Sequence, residues 1–268
     1  MKEMQIMDFT NRAKIYNTYR KADYRMTEKI IELLSLEKNS TVVDIGAGTG
    51  NYSLEIRNQG YNVIAVEPSR KMIENCVDKS LVYINSPAEC IELDDNLADG
   101  AIIINAIHHF KDVYRSLYEI NRIIKSGTLL IFTFDPKICG NLWLYDYWPH
   151  SRMYLNNFYM DIDTLKDILF QVYETKVVEE IAFDIPIDFE DTFSSALWGR
   201  PYLLLENERR LTMSLFNFMD SVQMKEGIEK LQKDLILGIW QKKYAYLLNK
   251  QFYDVGCRFL KLYFEPKK

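Results

Sequence analysis

The chain is poor in the residues that build metal and redox centres. It contains only three histidines and four cysteines, and the cysteines (Cys76, Cys90, Cys139, Cys257) lie far apart without a Cys-x-x-Cys pair. This spacing predicts no metal site. We interpret the cysteines as reduced thiols, mostly buried, in a cytoplasmic protein.

The chain also lacks long apolar runs and an excess of positive charge. No uncharged stretch reaches membrane-spanning length, and the formal net charge is −5. We therefore expect no membrane and no nucleic acid among its partners. Charged residues at Lys2, Glu3 and Asp8 argue against a signal peptide. Nearly half of the residues are apolar, enough for a sizeable core in a monomer or homodimer.

A glycine-rich segment is the most informative part of the chain. Residues 42–50 read Val-Val-Asp-Ile-Gly-Ala-Gly-Thr-Gly, and a second apolar run, 63–66, ends at Glu67. This order predicts a strand, a glycine loop, a helix, a second strand and an acid at its tip. Glycine lets backbone approach a ligand closely, and an acid at the second strand tip can accept both hydroxyls of a ribose.

The glycine spacing separates two classes of ligand. A dinucleotide fingerprint, G-x-G-x-x-G, requires glycine at position 51, where the chain has Asn51. Asp44 precedes the loop and would repel a pyrophosphate, whereas it would attract an ammonium group. S-adenosylmethionine (SAM) carries a ribose and an ammonium group but no phosphate, so the pattern favours SAM.

The segment from Phe9 to about Pro136 resembles the class I SAM-dependent methyltransferases, in particular their small-molecule group. Asp44 to Gly50 resembles the first motif of that family, Glu67-Pro68-Ser69 with Met72 the second, and residues 105–110 (Asn-Ala-Ile-His-His-Phe) the end of the fourth strand. The resemblance implies cofactor contacts from Asp44, Gly46, Ala47, Gly48, Gly50, Glu67, Pro68, Met72, Ser86, Ala88, Glu89, Asn105 and Ala106. Pro87 stands where the family often has an acid for the adenine amino group, so that contact falls to Glu89, to carbonyls near Ser86, or to no group.

The pattern of strands and helices predicts an α/β fold of the doubly wound, Rossmann-like kind. Five strands ending near Asp44, Glu67, Ser86, Asn105 and Asp135 alternate with helices, which predicts a mostly parallel sheet. Stretches 175–187 and 255–264 alternate like strands. In the family they would form the antiparallel pair that completes seven strands.

The remaining segments are predicted to be helical. Residues 9–35 form an N-terminal helix with Ile30, Leu33 and Leu34 on one face. Between the last two strands, one apolar face comprises Leu211, Leu215, Phe218 and Val222, and another comprises Ile228, Leu231, Leu235 and Ile239. We predict an N-terminal lid (1–40), a SAM-binding core (41–187 and 251–268) and a helical cap (188–250).

Catalytic candidates follow the fourth and fifth strands. His108 and His109 come after strand four and Asp135 ends strand five, near where the methyl group of SAM should point. Each can serve as a general base for a protonated acceptor. The structural alternatives are packing within the loop for the histidines and capping of the turn at Pro136 for Asp135.

Aromatic residues are dense in two places. Residues 143–159 include Trp143, Tyr145 and Trp148, which can line an acceptor pocket or pack between cap and sheet. Tyr16 and Arg20 lie in a segment that resembles a helix that folds over the cofactor in the family. In that arrangement Arg20 would pair with the methionine carboxylate. The alternative is a solvated amphipathic helix.

These observations together predict SAM-dependent methylation of a small molecule on O, N or C. No Pro-Pro-aromatic motif follows strand four, which disfavours exocyclic or amide nitrogen acceptors. The chain also lacks the Pro-Cys pair that pyrimidine C5 methylation would require. A SAM-binding protein without activity and a nicotinamide oxidoreductase are the alternatives.

Overall fold

The computed structural model describes residues 15–174 and 178–266, with the backbone alone at residues 217 and 218. The chain forms two compact units. The sheet unit contains residues 22–135, 160–183 and those from Cys257 onward. The insertion unit contains the described residues up to Lys21, with 136–159 and 184–256.

The regular elements of both units are as follows. The helices are α1 (Tyr24–Leu34), α2 (Asn51–Asn58), α3 (Arg70–Glu74), α4 (Val113–Ile123), α5 (Pro136–Cys139), α6 (Ser151–Phe158), α7 (Ile162–Tyr173), α8 (Asn207–Leu211), α9 (Ser221–Ile236) and α10 (Ile239–Lys243). The strands are β1 (Thr41–Ile45), β2 (Asn62–Val66), β3 (Val82–Ile84), β4 (Ala98–Ile104), β5 (Ile124–Phe134), β6 (Glu179–Ala182), β7 (Ile185–Pro186), β8 (Phe252–Tyr253) and β9 (Cys257–Phe264).

The sheet unit confirms the predicted Rossmann-like fold. Its seven strands have the order β3-β2-β1-β4-β5-β9-β6. Strands β1 to β5 pair in parallel, and β9 runs antiparallel between β5 and β6. The predicted antiparallel pair is therefore present, although its first strand spans only Glu179–Ala182 and residues 175–177 lie outside the described residues.

Both faces of the sheet are apolar, as expected for parallel strands covered by crossover helices. Alternate residues such as Val43, Ala101 and Ile131 share one buried cluster with α4 and α7. The intervening residues, among them Ile102 and Phe132, are equally buried on the other face. The parallel pairing of β1 to β5 brings their carboxyl ends to one edge, where the predicted site residues lie.

Side-chain caps set the ends of several helices. Asp161 caps α7 by accepting the N–H of Thr164 at 3.2 Å. Asp23 caps α1 by accepting the N–H of Arg25 at 3.0 Å. Residues 15–19 are also helical, but the chain leaves the helix at 20–23. The prediction of one continuous helix over 9–35 is therefore wrong within the described residues, although Ile30, Leu33 and Leu34 are buried as expected.

The insertion unit is helical, with one small sheet formed by β7 and β8. The apolar face predicted to run from Leu211 to Val222 is interrupted. Helix α8 ends at Leu211, a short 3-10 turn spans Ser214–Phe218, and α9 starts only after Asp220. Val222 is 62% exposed, because it lies in the first turn of a separate helix. The side chain of Phe218 lies outside the described residues.

The boundaries of the two units differ from the predicted parts. Helix α1 belongs to the sheet unit because its buried residues, Met26 and Ile30 among them, complete the core. Residues 136–159 belong to the insertion unit with 184–256. The lid and cap roles of the outer segments stay predictions.

The N-terminal cap of α9 provides a test of this helix assignment. Asp220 accepts the N–H of Gln223 at 2.8 Å. Replacing Asp220 by Ala should lower the free energy of unfolding by about 1 kcal/mol, because one amide of the first turn loses its partner. Asp220→Asn is the matched control, since asparagine caps nearly as well. Urea unfolding measures both variants, and equal losses would contradict the capping role.

Candidate functional site

The glycine loop follows β1 and is held against the end of β2. The N–H groups of Gly46 and Ala47 donate to the carbonyl of Val66 at 2.8 and 3.1 Å. Gly46, Gly48 and Gly50 all have positive φ. The sequence requires glycine here because L side chains rarely adopt this conformation.

Two of these glycines have different surroundings. A Cβ on Gly46 would lie 2.5 Å from the Cβ of Ala106, so this glycine allows the loop to pack against the end of β4. A Cβ on Gly48 would meet no protein atom within 4 Å. Gly48 therefore borders open space, and a ligand there can approach the backbone closely.

Asp44 is a buried acid beneath this loop. Its side chain is 2% exposed, and Ser53 Oγ donates to Oδ2 at 2.5 Å. The pKa of Asp44 is raised to about 7, chiefly because burial penalises the charged form; the Ser53 hydrogen bond lowers it, and the negative charge of Glu67 adds to the rise. Asp44 is thus poised near neutrality to become a carboxylate if a cation arrives.

Glu67 lies at the tip of β2 and faces the same loop. Its two oxygens accept the N–H groups of Gly48 and Ser69, each at 2.9 Å. Burial raises its pKa, and these two hydrogen bonds lower it. Each carboxylate oxygen has a second lone pair, so ribose hydroxyls can still be accepted.

No described lysine or arginine forms an ion pair with Asp44 or Glu67. Buried acids without a cation are costly, and they favour a ligand that brings positive charge. A pyrophosphate would add negative charge at the same place. The electrostatics of the site therefore agree with the sequence argument against a dinucleotide.

Asn105, the residue after β4, has two unusual features. Its φ is +51°, which is uncommon for a residue other than glycine. Its amide oxygen and nitrogen are both buried and have no hydrogen-bond partner among the described residues. Such an amide offers one donor and one acceptor to a ligand that carries both.

The other predicted contacts around the loop have mixed surroundings. Pro68 is exposed, and Met72 is half-buried in α3. Ser86 is buried and accepts the N–H of Glu92 at 3.5 Å, and Ala88 lies in the apolar cluster. Glu89 accepts the N–H groups of Lys111 and Asp112 at 2.6 and 3.1 Å, so it also fixes the start of α4.

The catalytic candidates lie at the ends of β4 and β5. His108 and His109 occupy a 3-10 turn, with ring centroids 4.0 Å apart. His109 is exposed, whereas His108 and Asp135 are half-buried. All three stay predicted bases.

The remaining candidates belong to the insertion unit. Trp143, Tyr145 and Trp148 are between 2 and 4% exposed, and Trp143 Nε1 donates to the carbonyl of Trp198 at 2.7 Å. Their burial favours the packing interpretation over direct contact with an acceptor. Arg20 pairs with Asp191 and lies 5.2 Å from the ring centroid of Tyr16, so its guanidinium already has a carboxylate partner.

Sequence reasoning missed three contacts of the glycine loop. Tyr83, in β3, donates its hydroxyl to the carbonyl of Gly48 at 3.3 Å. Ser53 holds Asp44, and Ser69 both donates to Glu67 and caps α3. Serine at the start of each helix was a usable signal for Ser53 and Ser69, whereas nothing in the sequence distinguishes Tyr83 from a packing residue.

The described residues contain neither a candidate metal site nor a candidate membrane-spanning helix. No cluster of three or more His, Cys, Asp or Glu side chains in residues 15–174 and 178–266 could hold a metal ion. In the same ranges, no helix combines the length and the apolarity needed to cross a bilayer.

Comparisons with known proteins agree with this geometry. Residues 43–132 match the family model described as a methyltransferase domain. The crystal structure of a proposed methyltransferase from an antibiotic biosynthesis pathway of Anabaena variabilis is 38% identical, with a TM-score of 0.86, and covers 91% of this chain and 98% of that one.

More distant relatives are similar over shorter stretches. A proposed methyltransferase of Dictyostelium discoideum is 28% identical over 58% of this chain and 64% of its own length. A malonyl-[acyl-carrier protein] O-methyltransferase of Pectobacterium atrosepticum is 25% identical over 46% of this chain and 50% of its own. The chain thus spans less than two thirds of these curated relatives.

The buried acid of the site makes stability depend on pH. The folded pKa of Asp44, about 7, lies above its ordinary value of 3.8. The unfolded chain therefore loses its proton first, and this contribution to stability falls as pH rises from about 4 to 7. Asp44→Asn should stabilise the free protein at pH 8 by up to about 4 kcal/mol and have little effect at pH 4. Denaturant unfolding at both pH values measures this, and equal stability of the two proteins at pH 8 would contradict the burial argument.

Proposed function

The chain belongs to the class I SAM-dependent methyltransferases, and we propose that it methylates a small-molecule acceptor with SAM as cofactor. The observation that carries this proposal is the pair of buried acids, Asp44 and Glu67, beside the open space at Gly48. SAM carries two positive charges, on its sulfonium and ammonium groups, and no phosphate.

The residues of the site fit this cofactor. Gly48 leaves room for the methionine portion beside Ala47, Asp44 attracts the ammonium group, and Glu67 accepts the ribose hydroxyls. The unpaired amide of Asn105 complements an amino acid, since its oxygen can accept from the ammonium and its nitrogen can donate to the carboxylate. The other predicted contacts, Pro68, Met72, Ser86, Ala88 and Glu89, fall to the adenosine side.

The chemistry requires little covalent help from the protein. When bound, SAM supplies an electrophilic methyl group, and in-line displacement forms a bond from the acceptor to carbon while the carbon–sulfur bond breaks, giving S-adenosylhomocysteine. Holding the acceptor at attacking distance contributes roughly 7–11 kcal/mol to lowering the barrier. His109, His108 or Asp135 takes the proton if the acceptor is protonated, a contribution of about 10²–10⁴-fold.

The pathway described for the Anabaena protein supports a small-molecule acceptor. The direct test incubates the protein with SAM and the low-molecular-weight fraction of an extract from the source organism. Mass spectrometry should detect S-adenosylhomocysteine and a product heavier by one methylene unit. Turnover only with the macromolecular fraction would contradict a small-molecule acceptor. Binding of SAM without any turnover would favour a protein that binds SAM but does not methylate.

Gly48 tests where the cofactor lies. Gly48→Val should abolish SAM and S-adenosylhomocysteine binding in calorimetry, because the branched side chain fills the space beside the loop. Gly238→Val is a matched control, since Gly238 also has positive φ and open space, but lies in the insertion unit. The control should bind SAM normally, and neither protein should bind NAD. Normal SAM binding by Gly48→Val would place the cofactor elsewhere.

Glu67 tests the ribose contact. Glu67→Gln should weaken SAM binding by about 1.5–3 kcal/mol, because a charge-assisted hydrogen bond is lost. Glu55→Gln, an acid-to-amide change on α2, should leave the affinity unchanged. Isothermal titration calorimetry gives both dissociation constants. If the Glu67 variant binds SAM like the unmodified protein, the ribose does not contact this carboxylate.

A further inference from the structure

The turn between α9 and α10 exposes a row of aliphatic side chains. Ile236 is 75% exposed, Leu237 60% and Ile239 42%. Between them, Gly238 has a φ of +70°, and a Cβ there would meet no atom within 4 Å. The turn Ile236–Ile239 therefore forms a convex feature, here named the apolar tip.

The apolar tip is built on a firm base. Trp240, the next residue, is 2% exposed, and its ring lies 5.4 Å from the ring centroids of both Trp143 and Tyr244. The exposed side chains of the tip are therefore adjacent to a residue that is firmly packed. The sequence pattern placed Ile239 on the buried face of a continuing helix, which is wrong because α9 ends at Ile236.

Lysines flank the apolar tip on both sides. Lys233 precedes it by one helical turn, and Lys242 and Lys243 follow by one turn, all exposed. Lys243 Nζ pairs with Asp146 Oδ2 at 2.7 Å, so Lys233 and Lys242 carry the positive charge of the rim. Asp234 is the single acid between residues 232 and 244, and its Oδ2 accepts the Tyr147 hydroxyl at 2.9 Å. The tip is thus apolar with a positive rim, in a chain whose net charge is −5.

The shape and charge of the tip select one class of partner. A convex aliphatic feature buries little area on a rigid flat surface, whereas a fluid apolar phase covers it from every side. A second copy of the chain would oppose lysines to lysines. A bilayer surface with anionic headgroups accepts both the aliphatic side chains and the lysines.

We propose that the apolar tip docks this protein on anionic lipid surfaces. Ile236, Leu237 and Ile239 enter the boundary between headgroups and acyl chains, and Lys233 and Lys242 contact the anionic headgroups. The protein lies on the membrane without spanning it, so the proposal departs from the expectation, drawn from the lack of long apolar runs and of excess positive charge, that a membrane is not among its partners. This inference is independent of the proposed function, because it needs neither SAM nor an acceptor.

Co-sedimentation with vesicles tests the proposal on the full chain. Vesicles of phosphatidylcholine and phosphatidylglycerol should bind the protein at low salt, and vesicles of phosphatidylcholine alone should bind about tenfold less. The variant Ile236→Ser with Leu237→Ser should lose about tenfold or more of the binding to anionic vesicles. Val222→Ser, at a 62% exposed position on the first turn of α9, is the matched control and should bind like the unmodified protein.

A second pair of substitutions tests the role of the lysines independently of the tip variant. Lys233→Gln with Lys242→Gln should weaken binding to anionic vesicles and reduce its dependence on salt. Three results would overturn the proposal: no binding to anionic vesicles, equal losses in the tip and control variants, or a tip variant that binds normally. If the unmodified protein does not bind vesicles, and light scattering shows that it is a dimer whereas the tip variant is a monomer, the tip contacts a second copy of the chain instead.

Discussion

The burial of two carboxyl groups that have no cationic partner among the described residues is the constraint on which the site depends. Asp44 is the penultimate residue of β1 and Glu67 directly follows the neighbouring β2, and both have raised pKa values because burial penalises their charge. Ser53 and two backbone amides stabilise them only in part. A ligand with positive charge relieves this penalty, so the free protein is arranged to favour SAM over nucleotides with phosphate groups.

The fold supplies this arrangement by topology. Parallel strands place their carboxyl ends along one edge, and the strand order reverses between β1 and β4, the position at which sheets of this kind bind ligands. Asp44 lies near the carboxyl end of β1, and Glu67 and Asn105 directly follow β2 and β4. The glycine loop completes the site because Gly46 lets it pack against Ala106 while Gly48 stays open.

The motif-bearing half of the site was predictable, because glycine spacing and acids at strand tips are local signals. The first strand, which ends near Asp44, was likewise predicted from adjacent residues. Contacts between distant segments were not predictable. The hydroxyl of Tyr83, in β3, reaches Gly48 in the loop after β1, with β2 between them, and the burial of Trp143 depends on residues about a hundred positions away, such as Trp240. Helical periodicity also continues past true helix ends, which misplaced Ile239.

Proton release on SAM binding tests the central claim most directly. At pH 6 the free protein holds Asp44 largely protonated, so binding of a cation beside it must expel a proton. Calorimetry in buffers of different ionisation enthalpy should show release of close to one proton per SAM at pH 6, little at pH 8.5, and none from the Asp44→Asn variant. Equal proton release from the variant and the unmodified protein, or none from either at pH 6, would contradict the role of Asp44.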